Sequence, residues 1–375
     1  MRVDWSEEEV MLRDMLSRYM AENCAFEQRP ARIAAGFDRA RWHELAELGV
    51  LGVPFAEADG GSGFGARGAL ILMEAAGRAL TTEPLLAALV GGTALTHGAT
   101  EAQRAEWLPR LIAGDALFAF AHAEPGARSN VSLVRTVARR GAGGWVLDGG
   151  KTMVHAAPDT DWIVLSARTG GAEGDREGIS LFRVPRDAEG LSVTAYRTID
   201  GLDAGEVALG GVALPADALL GEEGAAFSAI ERTLDLAAFA VCAEALGAIA
   251  ALNERCLAHC RAREAFGQTL ARFQAIQHRL VDMHVSQEQA GALTLKTAAA
   301  FAGSDAVRRR MVSACKVQVA QEAAFVGKHA VQLHGAMGMT EELDVGHYFR
   351  KLMLVQALFG GSDHHLRRFL AHGEA

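Results

Sequence analysis

The stretches GWVLDG (Gly144–Gly149) and DWIVLSAR (Asp161–Arg168) decide the fold. Both are short runs rich in Trp, Val, Ile and Leu, and WVLDG reads as a strand ending in a turn at Asp148–Gly149. Five runs of the same kind lie around them: LFAFAHA (Leu117–Ala123), VRTVARR (Val134–Arg140), GISLFRV (Gly178–Val184), LSVTAYR (Leu191–Arg197) and EVALGGVAL (Glu206–Leu214). Gly, Asp and Pro separate the seven at hairpin-like intervals, which predicts a small barrel or sandwich.

Outward from this block the period changes to that of a helix. Ser6–Tyr19, Arg39–Leu48, Gly65–Leu85 and Glu101–Ile112 carry apolar residues at three- and four-residue spacing. Ser6 followed by Glu9 has the form of a capping box. From about Ala225 onward come Ala-rich helical segments of about 25 to 35 residues, a length at which helices pack as a bundle. The expected fold is therefore mixed α and β, mostly α. An N-terminal α-helical domain covers 1–115, a central β-barrel or sandwich 116–220, and a C-terminal helical bundle 221–375. Helices, then strands, then helices is not an alternating βαβ order, so a parallel nucleotide-binding sheet is excluded. GFGARG (Gly63–Gly68) matches the dinucleotide fingerprint literally, but EADGGS precedes it where a strand is required. It reads as a loop leading into a helix.

Bulk properties narrow the function. Half of the 375 residues are hydrophobic and 22% are charged, as in a globular chain with a sizeable core. With 37 basic and 46 acidic residues the net charge is -9, which argues against a nucleic-acid partner. The cysteines Cys24, Cys242, Cys256, Cys260 and Cys315 are odd in number, so a disulfide framework is not expected and a reducing cytoplasm fits. Cys256, His259 and Cys260 share one helical face but lack a fourth ligand, so no metal is expected. The opening MRVDWSEEEVMLRDML is an acidic amphipathic helix rather than a signal peptide. Leu236–Asn253 has the texture of a membrane span, but Glu244 in its middle favours a buried helix of a soluble protein.

Four further segments carry a resemblance. AEPGARSN (Ala123–Asn130) looks like T-E-P-x-A-G-S-D, and DGGKTMVHAAPDTDWIVLSAR (Asp148–Arg168) looks like a G-x-K-x-W-I-T-N stretch. RAREAFGQTLARFQAIQHRLVDM (Arg261–Met283) follows R-x-x-F-G-x-x-L-x-x-F-Q, and QLHGAMGMTEE (Gln332–Glu342) follows Q-x-x-G-G-x-G. These are the motifs of the acyl-CoA dehydrogenases, in order, and the chain resembles that family over essentially its whole length. The resemblance implies a C-terminal four-helix bundle and bound FAD. It assigns Phe120, His122, Ala123, Ser129, Met153 and His155 to the flavin. It assigns Arg263 and Phe266 to the FAD of a neighbouring subunit, hence at least a dimer, and Gln332, Gly335 and Ala336 to the next FAD contact. These choices have chemical sense: a guanidinium suits a pyrophosphate, and small residues admit close backbone approach. The chain also departs from the pattern. Ala123 replaces the Thr before E-P-G, Met153 the Trp beside the flavin, His155 the nearby Thr, and Ala336 the second Gly.

The implied reaction is α,β-dehydrogenation of an acyl-CoA thioester, which requires a partly desolvated carboxylate as base. In many members that glutamate lies in Y-E-G-T-S. Counting from Gln332 puts Phe359 there, or Gly360 after a one-residue slip, within ALFGGSDHHL (Ala357–Leu366). Other members carry it in D-L-E-R-L, where LDLAAFAV (Leu234–Val241) has Ala237. Glu244 is seven residues beyond Ala237, about 700° of helix, so the two point within about 20° of each other and lie about 10 Å apart along the axis. As the lone charge between Asp235 and Glu254 it is the first candidate base, against a structural glutamate paired in the bundle. Asp363 is the second, in the first turn of a helix DHHLRRFLAH capped by Ser362. The backbone N–H of Phe359 or Gly360 is still able to hold the thioester carbonyl.

The expected function is thus an FAD-dependent acyl-CoA dehydrogenase with a relocated base, passing electrons to an electron-transfer flavoprotein. A second reading is a partner subunit without its own base in a heterotetramer with a homologous chain. The whole-chain texture, FGGSDHHL included, resembles the small-subunit type that acts on dicarboxyl-CoA (pimeloyl-CoA) or steroid side chains. A third is a flavin monooxygenase on the same fold.

Overall fold

The structure, a computed structural model, describes residues 4–371. The first three residues of the acidic N-terminal stretch and His372, which ends the DHHLRRFLAH run, lie outside the described residues. Helices α1 (Glu7–Asn23), α2 (Arg29–Ala35), α3 (Arg39–Glu47), α4 (Gly65–Ala79), α5 (Leu85–Gly98) and α6 (Glu101–Ile112) come first. The capping box forms as read: Ser6 Oγ accepts the Glu9 N–H at 3.2 Å, and the Glu9 carboxylate accepts the Ser6 N–H at 2.7 Å. The helix expected over Gly65–Leu85 is instead cut between α4 and α5. Leu80 takes a φ of 50°, and Pro84 cannot donate a helical hydrogen bond. The apolar spacing runs across this break, so periodicity alone does not reveal it. In GFGARG, Gly63 and Phe64 are loop and Gly65–Gly68 form the first turn of α4, so the loop leads into a helix as expected.

The contacts of the chain gather it into two compact units. One comprises Ile33–Gly65 and Thr82–Ala237, the other Met1–Arg32, Ala66–Thr81 and Ala238–Ala375. The first holds the sheet. Each of the seven runs forms a strand: β1 (Phe118–Ala121), β2 (Val137–Gly141), β3 (Gly144–His155), β4 (Trp162–Arg168), β5 (Ile179–Pro185), β6 (Leu191–Arg197) and β7 (Asp203–Pro215), followed by the short β8 (Leu219–Leu220). The strand order is β6-β7-β3-β2-β4-β5-β8, with β1 parallel to β4. β4 is buried on both faces. Ile163 and Leu165 pack with Trp145, Leu147 and Phe182, while Val164 packs with Trp107, Phe118 and Ile230.

The turn expected at Asp148–Gly149 is not there. β3 continues to His155, and its register against β7 shifts between Leu147 and Gly149 and again between Lys151 and Val154. These are bulges, which insert residues without reversing the chain. Gly149 is required at the first: its φ is 143°, and a Cβ would stand 2.6 Å from Thr136 Cα on the loop before β2.

The second unit holds most of α7 (Phe227–Ala262), the hairpin β9 (Glu264–Ala265) and β10 (Gln268–Thr269), then α8 (Gln274–Ala300), α9 (Asp305–His334), α10 (Asp344–Val355) and α11 (Ser362–Ala371). α7 to α10 make the bundle, with α11 against α9. α7 has the length and composition of a membrane span, yet 89% of its most apolar window is buried inside the protein. α4 crosses α7 with backbone touching backbone. A Cβ on Gly77 would lie 1.8 Å from Glu244 O, and one on Gly247 1.9 Å from Glu74 O.

Candidate active site

In the sheet unit, β1 leads into the AEPGARSN segment, whose conformation is held by a buried polar network. Glu124 Oε1 accepts from Lys151 Nζ at 2.6 Å and from the Thr136 N–H at 3.0 Å, while Oε2 accepts from the Arg135 N–H at 2.7 Å. One carboxylate thereby ties the start of the segment to the residues just before β2. Lys151, 1% exposed, also donates to Ser166 Oγ at 3.0 Å and to His122 O at 3.3 Å. Burial pushes its ammonium down to about 8, with Glu124 resisting. Burial alone would raise the Glu124 carboxyl, but Lys151 and Thr136 outweigh it and hold it below the usual range.

His122 lies 2.9 Å from Ser166 Oγ through Nδ1 and 3.0 Å from Val131 O through Nε2. A carbonyl only accepts, so Nε2 carries the proton and Nδ1 accepts from the Ser166 hydroxyl. Burial, then the charge of Lys151, pushes His122 down to about 3, so the ring is neutral. The Phe120 and His122 rings lie near-parallel, with centroids 6.1 Å apart. The Thr152 N–H donates to Ala123 O at 2.8 Å and brings this strip to the second bulge of β3. There Met153 takes a φ of 53°, and its sulfur lies 3.4 Å from the Tyr196 hydroxyl, which donates to the Glu206 carboxylate at 3.1 Å. Phe120, His122, Ala123 and Met153 are thus gathered, with His155 two residues further along β3 and Ser129 half-buried in the AEPGARSN segment.

In the bundle unit, Arg263 follows α7 at the base of the β9–β10 hairpin. Phe266 sits at its tip with a φ of 53° and 95% of its surface exposed. Gln332, Gly335 and Ala336 lie exposed at the end of α9. The rings of His259 and His334, 4.3 Å apart, hold the end of α7 beside the end of α9. Two motifs distant in sequence therefore meet. Among the described residues the Arg263 side chain makes no ion pair, and Phe266 is a bare apolar ring. A free guanidinium, small backbone-exposing residues and an uncovered ring fit an anionic dinucleotide with flat aromatic parts.

The candidate bases fare differently. Glu244 is 7% exposed, as its apolar sequence neighbours suggest, but it is not a lone charge: Lys351 on α10 places Nζ 2.6 Å from Glu244 Oε1. Asp363 is exposed on the first turn of α11, unlike the desolvated setting that proton abstraction needs. Ser362 is the first residue of that helix rather than its cap. The first helical bond runs from the His365 N–H to Gly361 O at 3.1 Å.

The turn before α11 is held by two groups the sequence reading missed, Lys316 and His365. Phe359 and Gly360 both take positive φ, 54° and 103°. Lys316, fully buried on α9, donates to Val355 O and, at 2.8 Å, to Gly360 O. His365, on the first turn of α11, lies 3.0 Å from Phe359 O through Nε2 and 3.3 Å from Ser313 Oγ through Nδ1. A single lysine inside the apolar run VSACKVQVA was the available signal for Lys316.

Comparison with known proteins agrees with this architecture. Residues 6–115, 119–212 and 224–374 match the N-terminal, middle and C-terminal domains of acyl-CoA dehydrogenase. The chain is 28% identical over 369 residues to a probable acyl-CoA dehydrogenase of Bacillus subtilis, covering 97% of each chain. It is 30% identical over 310 residues to an acyl-CoA dehydrogenase of Mycobacterium tuberculosis, covering 81% of this chain and 80% of that one. The structure superposes on butyryl-CoA dehydrogenase from Megasphaera elsdenii with a TM-score of 0.90, 25% identity and 99% of each chain covered. The chain belongs to the acyl-CoA dehydrogenase family. It is an oxidoreductase, and its cofactor is FAD.

Proposed function

We propose that this chain is the FAD-binding, thioester-holding subunit of an acyl-CoA dehydrogenase, and that a homologous partner chain supplies the carboxylate that takes the α-proton. One observation carries this reading. The turn that would present the base offers Phe359 and Gly360, and the buried carboxylate that could replace it, Glu244, is 2.6 Å from Lys351. Bound FAD supplies the acceptor for the hydride leaving the β-carbon. Phe120, His122, Ala123, Ser129, Met153 and His155 would line the flavin, Arg263 and Phe266 would reach the FAD of a neighbouring subunit, and Gln332, Gly335 and Ala336 would make a further FAD contact. The N–H of Phe359 or Gly360 binds the thioester carbonyl and stabilises the charge that develops on its oxygen as the α-proton leaves. Electrons pass to an electron-transfer flavoprotein, in the β-oxidation of a fatty acyl or side-chain thioester. Five free cysteines support a cytoplasmic setting for the assembled tetramer. Domain boundaries near residues 115 and 220 follow the changes from α6 to β1 and from β8 to α7.

The burial of Glu244 favours a second reading, in which Glu244 is itself the base and Lys351 releases it when substrate enters. Anaerobic bleaching of the flavin by a panel of acyl-CoA thioesters separates the two. The partner reading expects bleaching only after co-expression with the homologous chain. Full bleaching by the isolated chain, lost in Glu244→Gln, refutes it and installs Glu244. NADPH-dependent oxygen consumption would instead favour a monooxygenase.

A further inference from the structure

We propose that Lys316, together with the Ser313–His365 pair, is a positioning device that holds the Phe359–Gly360–Gly361 backbone with its N–H groups turned towards a thioester carbonyl. The inference rests on the carbonyl-binding role proposed above, selects Gly360 over Phe359 as its donor, adds the Gly361 N–H, and names the residues that aim them.

α9 presents Ser313 and Lys316 three residues apart, hence on one face. Both address the same turn. His365 is 2% exposed, and burial, against the hydrogen bond to Phe359, pushes it down to about 3. It is therefore neutral. Since Phe359 O only accepts, Nε2 carries the proton and Nδ1 accepts from the Ser313 hydroxyl. His365 thereby draws the Phe359 carbonyl inward. Lys316 draws the next carbonyl, Gly360 O, inward at 2.8 Å, and its second bond to Val355 O anchors it to the end of α10. The two ends of the turn are thus tied to one ammonium.

Direction follows from peptide geometry. In a trans peptide the C=O and the following N–H point in opposite senses. With the carbonyls of Phe359 and Gly360 turned into the protein, the N–H groups of Gly360 and Gly361 are turned out. Neither has a hydrogen-bond partner among the described residues. The turn would not hold this shape unaided, because Phe359 is a bulky residue at a φ of 54°. Nor is Gly360 replaceable. A Cβ there would stand 2.8 Å from both His364 Cδ2 and His365 Nε2. Lys316 does more than orient: a cation on Gly360 O polarises that peptide and makes the Gly361 N–H a stronger donor. The turn has lost the family's carboxylate, but it keeps the machinery that aims its amides.

The test is the infrared carbonyl frequency of bound acyl-CoA thioesters, isotope-labelled at the carbonyl and drawn from short, medium and long chains. They are bound to the FAD-loaded chain assembled with its co-expressed partner. In wild type the carbonyl band of at least one thioester should fall below its value in water. Lys316→Met should return the band towards that value and weaken thioester binding about tenfold or more, while FAD stays bound. Ser313→Ala removes only the hydroxyl that orients His365 and should shift the band in the same direction, by less. It decides the matter if Lys316→Met does not fold. If no thioester shows a lowered band in wild type, the carbonyl-binding role and this inference fall together. If wild type lowers the band and the folded variants lower it equally, the carbonyl-binding role stands and Lys316, Ser313 and His365 are structural only.

Discussion

The Glu244–Lys351 pair gives the sharpest test of the site, because stability and turnover make opposite demands on it. The two side chains are 10% and 9% exposed and lie 2.6 Å apart. Glu244 cannot move away on its own helix, since its carbonyl abuts Gly77 where α4 crosses α7. Removing one member of a buried pair leaves a desolvated charge and costs about 3–5 kcal/mol, whereas replacing both by apolar residues of similar volume is close to neutral. Lys351→Met and Glu244→Gln should therefore each lower the unfolding free energy by about 3–5 kcal/mol, and Glu244→Leu with Lys351→Met should lie within about 1 kcal/mol of wild type. Urea denaturation followed by circular dichroism, at fixed FAD and protein concentration, gives all four values. The cycle is refuted if either single variant costs less than about 1 kcal/mol. If Glu244→Gln is as stable as wild type but no longer bleaches with acyl-CoA, the carboxylate is a base and not a strut.

Three other outcomes follow from particular groups. His122 and His365 are both held near 3 in the folded chain against 6.5 ordinarily. The unfolded chain therefore takes up more protons between those values, and each histidine should remove about 2 kcal/mol of stability between pH 7 and pH 5. His122→Gln should flatten that slope, and a urea midpoint independent of pH over this range would contradict the neutral assignment. Gly77→Ala and Gly247→Ala, which drive a Cβ to 1.8 and 1.9 Å from backbone on the facing helix, should each cost about 3 kcal/mol or more. Gly143→Ala, with open space around it, should be neutral; equal denaturation midpoints for all three would show that the α4–α7 crossing is not tight. Phe266→Ser should leave the unfolding free energy within about 0.5 kcal/mol, since the ring is 95% exposed. Gel filtration and flavin absorbance should show smaller assemblies that retain less FAD, and unchanged mass and flavin content would remove Phe266 from the cofactor-bearing interface.

The fold was legible where a local rule and the tertiary outcome coincide. The β4 run is apolar on both faces because both faces of that strand are covered, and Ser6 and Glu9 make their reciprocal bonds within one turn. It was not legible where one local signal serves two structures. Asp148–Gly149 looks the same before a turn and before a bulge. What selects the bulge is Thr136, which approaches so closely that only glycine fits. The break between α4 and α5 is similar. The apolar spacing continues across Leu80–Pro84 because both helices are buried, so the period persists although the helix does not.

The site divides along the same line, and the reason is electrostatic. Arg263 and Gln332 could be proposed as cofactor contacts because each lies in a motif with several residues at set offsets. A buried charge has no such local signature. The apolar neighbours of Glu244 predict its desolvation correctly, but its ionic partner comes from α10, whose sequence says nothing about α7. Lys316 is the converse case. It has thiols near it, Cys242 and Cys315, and burial pushes its pKa down. In place of a carboxylate it binds two carbonyls from the end of α10 and the turn before α11. A lysine so placed stabilises a backbone shape rather than a charge. Its importance becomes visible only once the positive φ of Phe359 and Gly360 shows that the shape needs holding.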